Sequence, residues 1–122
     1  MKKLILLVVL CFCSLNIFAE QISYINQTIS WTYLYDKNGK KYKTLSSSSI
    51  CLVIGYSSSF FITQNKEWIY MFDSDGKKYH TMSRSSVGDV IGVSGETFTT
   101  IKNGWIYTFD KTGKKISTRK QR

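Results

Sequence analysis

Apolar and polar side chains alternate with a period of two along most of the chain, and glycine, asparagine, aspartate or serine interrupts the pattern every few residues. This alternation predicts short β-strands, and no segment after residue 19 shows a helical period. In the segment 68–73, Trp68, Tyr70 and Phe72 share one face of the predicted strand. Ile69 and Met71 share the other, so we expect the strand to lie between two layers.

The alternation repeats every 37 residues, as the positions of Trp31, Trp68 and Trp105 show. Each tryptophan starts an aromatic segment that ends in aspartate. Two further residues follow the aspartate, and Gly-Lys-Lys comes directly after them. A match held through two periods indicates a repeat architecture. The three units span about residues 22–45, 50–82 and 88–119.

Each full unit contains four predicted strands and the first unit contains three, which gives eleven strands in all. Asn103-Gly104 predicts a type I′ hairpin turn, because both positions of that turn need positive φ. Three further turns place aspartate first and glycine fourth, the pattern of a type I turn. They cover residues 36–39, 73–76 and 110–113.

The segment N-G-W-I-Y-T-F-D-K-T-G-K-K-I of the third unit, with its earlier copies, resembles the WG-type and NHL-type repeats of β-propellers. The resemblance covers residues 22–119 and implies propeller-blade-like units that serve as a binding scaffold. Propellers close with about four to eight blades. We therefore favour a homodimer in which two copies close one six-bladed ring. A monomeric β-trefoil, an open sandwich and a solenoid are the alternatives.

The start of the chain has the pattern of a bacterial export signal. Lys2 and Lys3 precede an apolar run, and Ala19 is a small residue before the polar Glu20. The run is shorter than the roughly 20 residues that span a bilayer. We expect a signal peptide over residues 1–19, cleavage after Ala19, and one exported domain over residues 20–122, periplasmic or secreted, with no membrane span left.

Cleavage lowers the net charge from +9 to +7, because Lys2 and Lys3 leave with the signal. Only Cys51 of the three cysteines remains, so no disulfide can form within the mature chain. We expect this cysteine to behave as a small buried residue.

Lysine pairs follow the three aspartate turns and are the candidate ligand-binding residues. Because the fold repeats with the sequence, the pairs are predicted to form a basic stripe that attracts an anionic glycan, a lipid phosphate or an acidic protein. The export signal disfavours nucleic acid. Alternatively, the lysines only prevent edge pairing and aid solubility. The pairs are Lys40 and Lys41, Lys77 and Lys78, and Lys114 and Lys115.

Catalytic and metal-binding constellations are missing from the sequence. His80 occupies a variable, outward position of the repeat. Cys51 aligns with Gly88, which argues against a role of this cysteine imposed by the repeat. Asp73-Ser74-Asp75-Gly76 lacks the distal glutamate of an EF-hand loop. The serines 46–49 are predicted to form a loop, and the three tryptophans are expected in the core. We predict that the protein binds no cofactor and no metal ion and has no enzymatic activity.

These features predict an exported, non-catalytic binding module that recognises an anionic ligand or a protein partner through its repeated basic face. The alternative is a periplasmic inhibitor or immunity protein that blocks an enzyme or a toxin. A small hydrolase is the third hypothesis, and the lack of a recognisable set of catalytic residues in the sequence argues against it.

Overall fold

The computed structural model describes residues 20–121, and these residues form eleven antiparallel strands and two helices of one turn. The strands are β1 (Tyr24–Gln27), β2 (Trp31–Tyr35), β3 (Lys41–Ser46), β4 (Leu52–Tyr56), β5 (Phe60–Gln64), β6 (Trp68–Asp73), β7 (Lys78–Ser83), β8 (Asp89–Ser94), β9 (Thr97–Lys102), β10 (Trp105–Asp110) and β11 (Lys115–Lys120). The helices are α1 (Ser47–Ile50) and α2 (Arg84–Val87).

Each repeat unit builds one antiparallel sheet in which the strands follow one another in chain order. The first sheet contains β1 to β3, the second β4 to β7, and the third β8 to β11. This confirms the all-β prediction, including eleven strands divided three, four and four. The predicted signal peptide, residues 1–19, lies outside the described residues. Within the described part of the chain, no helix has the length and apolarity needed to cross a bilayer.

The two helices are the main local departure from the sequence prediction. Each follows the last strand of a sheet, and α1 forms from serines that were expected to be a loop. Four residues make one turn, which is too short to leave a helical period in the sequence.

The second sheet is apolar on both faces, as predicted for its third strand. Its Phe61 and Phe72 rings stack 4.8 Å apart and pack against the first sheet. Ile62 and Met71, on the opposite face, are completely buried against the third sheet. The domain therefore has two cores, one at each junction between sheets.

The outward faces of the end sheets are more polar than the inner ones. Tyr24 and Tyr35 of the first sheet occupy the repeat positions of Phe61 and Phe72, and Tyr24 is 53% exposed. On the third sheet, threonines 99 and 108 replace Ile62 and Met71. Hydroxylated side chains thus cover both ends of the stack.

The Gln27 side chain, at the end of β1, forms hydrogen bonds to the backbone at the start of β4 and so connects the first sheet to the second. Its Nε2 donates to the Cys51 carbonyl at 2.9 Å, and its Oε1 accepts the Val53 N–H at 2.9 Å. These two hydrogen bonds take the place of a neighbouring strand beside β4. At the equivalent position of the second unit, Gln64 has a buried Oε1 with no hydrogen-bond partner among the described residues.

Cys51 is half-buried and has the backbone conformation of a glycine. Its φ of 75° and ψ of −172° match those of Gly88, which are 95° and −165°. The repeat therefore does impose a feature on Cys51, against our expectation: the two aligned residues share a backbone position at the end of each helix. A non-glycine residue is strained there.

Candidate functional site

The lysine pairs lie beside three aspartate turns of nearly identical geometry. In each turn, the aspartate Oδ1 accepts the N–H groups of the residue two positions later and of the first lysine. For Asp36, the two nitrogens lie 2.9 and 3.0 Å away. In the third turn, the Thr112 hydroxyl also donates to Asp110, and this bond is the largest cause of a pKa below the usual value for that carboxyl. The aspartates therefore shape the turns, as predicted, and fix the start of the last strand of each sheet, which we call the outer strand (β3, β7 and β11).

A β-bulge follows each turn at the same point of the repeat. The register shifts between Leu34 and Tyr35, and again at the matching pairs of the other two sheets, so one residue of each outer strand has no partner. The unpaired residues are Tyr42, Tyr79 and Ile116. A bulge redirects the side chain that it carries.

The two bulge tyrosines connect each sheet to the next. The Tyr42 hydroxyl donates to the Ser74 carbonyl in the turn of the second sheet at 2.7 Å. The Tyr79 hydroxyl donates to the Lys111 carbonyl in the turn of the third. Burial, helped by nearby carboxylates, raises the pKa of each tyrosine to about 12. Both phenols stay protonated at neutral pH, so each can keep donating its bond.

The second lysine of each pair lies over a tyrosine ring of its own sheet. The Nζ atom of Lys41 is 4.5 Å from the centroid of the Tyr33 ring, and the two later copies of this contact measure 4.6 Å. The later copies pair Lys78 with Tyr70 and Lys115 with Tyr107. Such a contact attracts the ammonium group to the negative face of the ring and restricts the lysine side chain. We call Lys41, Lys78 and Lys115 the lysine row.

The lysine row has no carboxylate partner within the part of the chain that the structure describes. Among residues 20–121, the ion pairs join Arg84 to Asp89 and Lys111 to Glu96, and all six lysines of the three pairs are exposed. Lys40, Lys77 and Lys114 sit directly on the turns, where the aspartate accepts their backbone N–H. Packed sheets are about 10 Å apart, so the row presents three separated positive charges along one edge of the stack.

His80 is not the free surface residue that its repeat position suggested. It is half-buried, and its ring covers Gly113 in the turn of the third sheet, where an added Cβ would come 2.5 Å from Nε2. This contact gives the side chain a packing role between the second and third sheets.

The tryptophans correct the sequence prediction most clearly. They were expected in the core, yet Trp31 is 49% exposed, and Trp68 and Trp105 are each 42% exposed. Each is the first residue of its strand, at the end opposite the aspartate turns. We call this end of the sheets the tryptophan edge. Because strand residues rise about 3.3 Å each, it lies roughly 20 Å from the turns.

Sequence reasoning missed the lysine–tyrosine contacts, although they left a signal. Tyr33, Tyr70 and Tyr107 recur with the same 37-residue period as the lysines. A repeated aromatic residue near a repeated cation in an adjacent strand is the pattern that would have predicted them. Within the described range, no group of three or more histidine, cysteine, aspartate or glutamate side chains is arranged to hold a metal ion.

Comparisons of the chain with protein-family models, with curated proteins and with solved structures found no match. The resemblance to WG-type and NHL-type repeats therefore stays a prediction from the residues, whereas the repeated antiparallel sheets are present in the fold.

Proposed function

We propose that the chain is an exported, non-catalytic binding module that recognises a polyanionic ligand through the lysine row. One observation carries this proposal: three lysines at equivalent repeat positions are each held over a tyrosine ring and have no carboxylate partner among the described residues. Restricting a long side chain before binding lowers the entropy lost when a ligand arrives.

The arrangement favours a long anion over a small one. The three ammonium groups belong to successive sheets, and neighbouring sheets are about 10 Å apart. No two of them can hold the same phosphate or carboxylate group. An extended polyanion, such as an acidic polysaccharide or the surface of an anionic membrane, can contact all three.

Titration with heparin, a soluble sulfated polysaccharide, tests this proposal for residues 20–122. Each lysine near an anionic surface contributes about 1 kcal/mol. The triple variant Lys41→Gln, Lys78→Gln and Lys115→Gln is therefore expected to bind about 100-fold more weakly at an ionic strength of about 0.1 M, where the Debye length is about 10 Å. Binding of the unchanged protein should also weaken steeply as salt is added.

A matched control removes three positive charges from the tryptophan edge. It carries Lys102→Gln, Arg119→Gln and Lys120→Gln, and we expect it to lose less than about threefold, because screening limits charge effects over such distances. Equal losses in the two variants would show that only net charge matters and would contradict the proposal. A parallel arm with phosphatidylglycerol vesicles distinguishes a lipid source of the anion from a polysaccharide.

Binding to one protein partner that is insensitive to salt and to the lysine-row variant would also overturn the proposal. That result would favour the inhibitor or immunity-protein hypothesis, because such a complex depends on shape more than on charge.

Export is the second part of the proposal and rests on residues 1–19. Expression of the full chain in a bacterial host, followed by mass spectrometry of the periplasmic and secreted fractions, tests it. A mature chain that begins at Glu20 supports export. A cytoplasmic chain that keeps Met1 contradicts it.

The proposed assembly is propeller-like, with two copies closing a ring of six sheets. The surfaces that would meet are the hydroxylated outer faces, with Tyr24 and Tyr35 of one copy against Thr99 and Thr108 of the other. Because these faces are polar, we expect a dimer that dissociates on dilution. Light scattering over a concentration series tests this, and a monomer at every concentration would contradict ring closure.

A further inference from the structure

A cavity of about 300 Å³ opens at the tryptophan edge of the second sheet. Trp68 forms its apolar wall, and Ser83, Ser85, Lys66 and Glu67 supply polar groups around it. A half-exposed aromatic wall opposite a few polar groups is typical of a site for a small ligand, and the volume is at the lower end of the range for such sites.

Hydrogen bonds fix both sides of this cavity. The Asn65 Oδ1 accepts the backbone N–H groups of Glu67 at 2.9 Å and of Trp68 at 2.8 Å, which holds the hairpin loop in one shape. On the other side, the hydroxyls of Ser83 and Ser85 lie 2.9 Å apart. The loop backbone and the two serine hydroxyls are therefore in place before any ligand binds.

Arg84 joins the two sides. Its backbone N–H donates to the Glu67 carbonyl at 2.9 Å, and its Nη1 donates to the Asn65 carbonyl at 2.6 Å. Its Nη2 pairs with Asp89 at 2.7 Å. The loop that carries Lys66 is thus held to the helix that carries Ser85.

We propose that this cavity binds one sugar ring of a neutral saccharide chain. The C–H groups on one face of a pyranose carry slight positive charge and stack on the negative face of the Trp68 ring. Its hydroxyls then face the serine hydroxyls, the Lys66 ammonium and the Glu67 carboxylate, which together supply donors and acceptors. The site lies at the opposite end of the strands from the lysine row and does not depend on it.

The first sheet repeats part of this arrangement and the third does not. Trp31 pairs across the strands with Ser46, whose hydroxyl lies 3.1 Å from that of Ser48. Trp105 is instead paired with Lys120. A second, weaker subsite beside Trp31 follows from this, and adjacent subsites on neighbouring sheets fit a saccharide chain better than a single sugar.

The polar groups around the cavity favour a saccharide over the main competing ligand, a lipid surface. An anionic membrane would repel the Glu67 carboxylate. Ser83 and Ser85 hydrogen-bond to each other, and burial in lipid would leave the second hydroxyl of this pair with no acceptor for its own O–H. A sugar ring satisfies both groups.

The test is isothermal titration calorimetry of residues 20–122 with tetra-N-acetylchitotetraose, cellotetraose and maltotetraose. We expect saturable binding of at least one of them. Trp68→Ala should weaken that binding at least tenfold, and Ser83→Ala with Ser85→Ala should weaken it several-fold. Trp105→Ala is the matched control, because the two tryptophans are equally exposed, and it should change the affinity less than twofold. Circular dichroism checks that each variant folds.

Two outcomes would overturn the inference directly: no binding of any of the three saccharides, or equal losses for Trp68→Ala and Trp105→Ala. A third is binding to neutral phosphatidylcholine vesicles that Trp68→Ala abolishes and that none of the saccharides inhibits. The lysine-row variant should bind the saccharide normally. Failure here is therefore distinguishable from failure of the proposed polyanion site.

Discussion

Replacing Cys51 by glycine is expected to give a more stable domain than replacing it by alanine, although glycine normally weakens structured segments. The backbone at Cys51 is held at φ 75° from both sides. Its N–H donates to the Ser47 carbonyl at 2.9 Å, and its own carbonyl accepts the Gln27 side chain at 2.9 Å. Gly88 takes the same conformation at the matching position.

The size of the effect follows from opposing terms. A non-glycine residue in this region of φ and ψ costs about 1–3 kcal/mol. Glycine loses more backbone entropy on folding, about 0.5–1 kcal/mol relative to alanine. We therefore expect Cys51→Gly to be about 1 kcal/mol more stable than Cys51→Ala, which keeps the Cβ and the strain but also lacks the thiol. For a domain of this size, that difference corresponds to about 4–8 °C in Tm.

Urea unfolding of residues 20–122, followed by tryptophan fluorescence, measures this difference directly. The midpoint of the glycine variant should lie about 0.5 M above that of the alanine variant, with the same slope. If the alanine variant proves equally stable or more stable, the positive φ is not strained and the argument is wrong.

Two further changes test the contacts between the sheets. Because the pKa of Tyr79 is raised from 10 to about 12, the protonated phenol contributes stability that is complete below pH 10 and is lost as the pH rises towards 12. Tyr79→Phe should flatten this alkaline decline in an unfolding series, and an unchanged decline would contradict the assignment. Gln27→Leu should cost about 2–3 kcal/mol in urea unfolding, since the Cys51 carbonyl and the Val53 N–H lose their partners. The matched Gln64→Leu change removes a buried oxygen that has no partner among the described residues and should be neutral or stabilising, so equal losses would contradict the bridging role of Gln27.

Short-range patterns predicted the strands and their grouping well. Alternation, turn residues and the 37-residue period are local signals, and they determine which residues pair within a sheet. The same signals predicted that both faces of β6 are buried, Met71 on one face and Phe72 on the other.

Features that depend on how sheets overlap could not be predicted in this way. Trp68 lies at the end of an apolar strand, yet the neighbouring sheet does not cover it. The backbone of Cys51 is held in part by a hydrogen bond from the distant Gln27, which no local pattern contains. The lysine row was predicted as residues, but its attachment to tyrosine rings required the register between strands.

The different faces of the three sheets give this chain a modular character. Only the second sheet offers Phe61 and Phe72 on one side and Ile62 and Met71 on the other. If this unit were inserted a second time, the Ile62 and Met71 face of one copy would lie against the Phe61 and Phe72 face of the other. Faces of these two kinds already pack together at the two existing junctions. Duplication of the middle unit could thus lengthen the stack, add one lysine to the row and leave both hydroxylated ends unchanged.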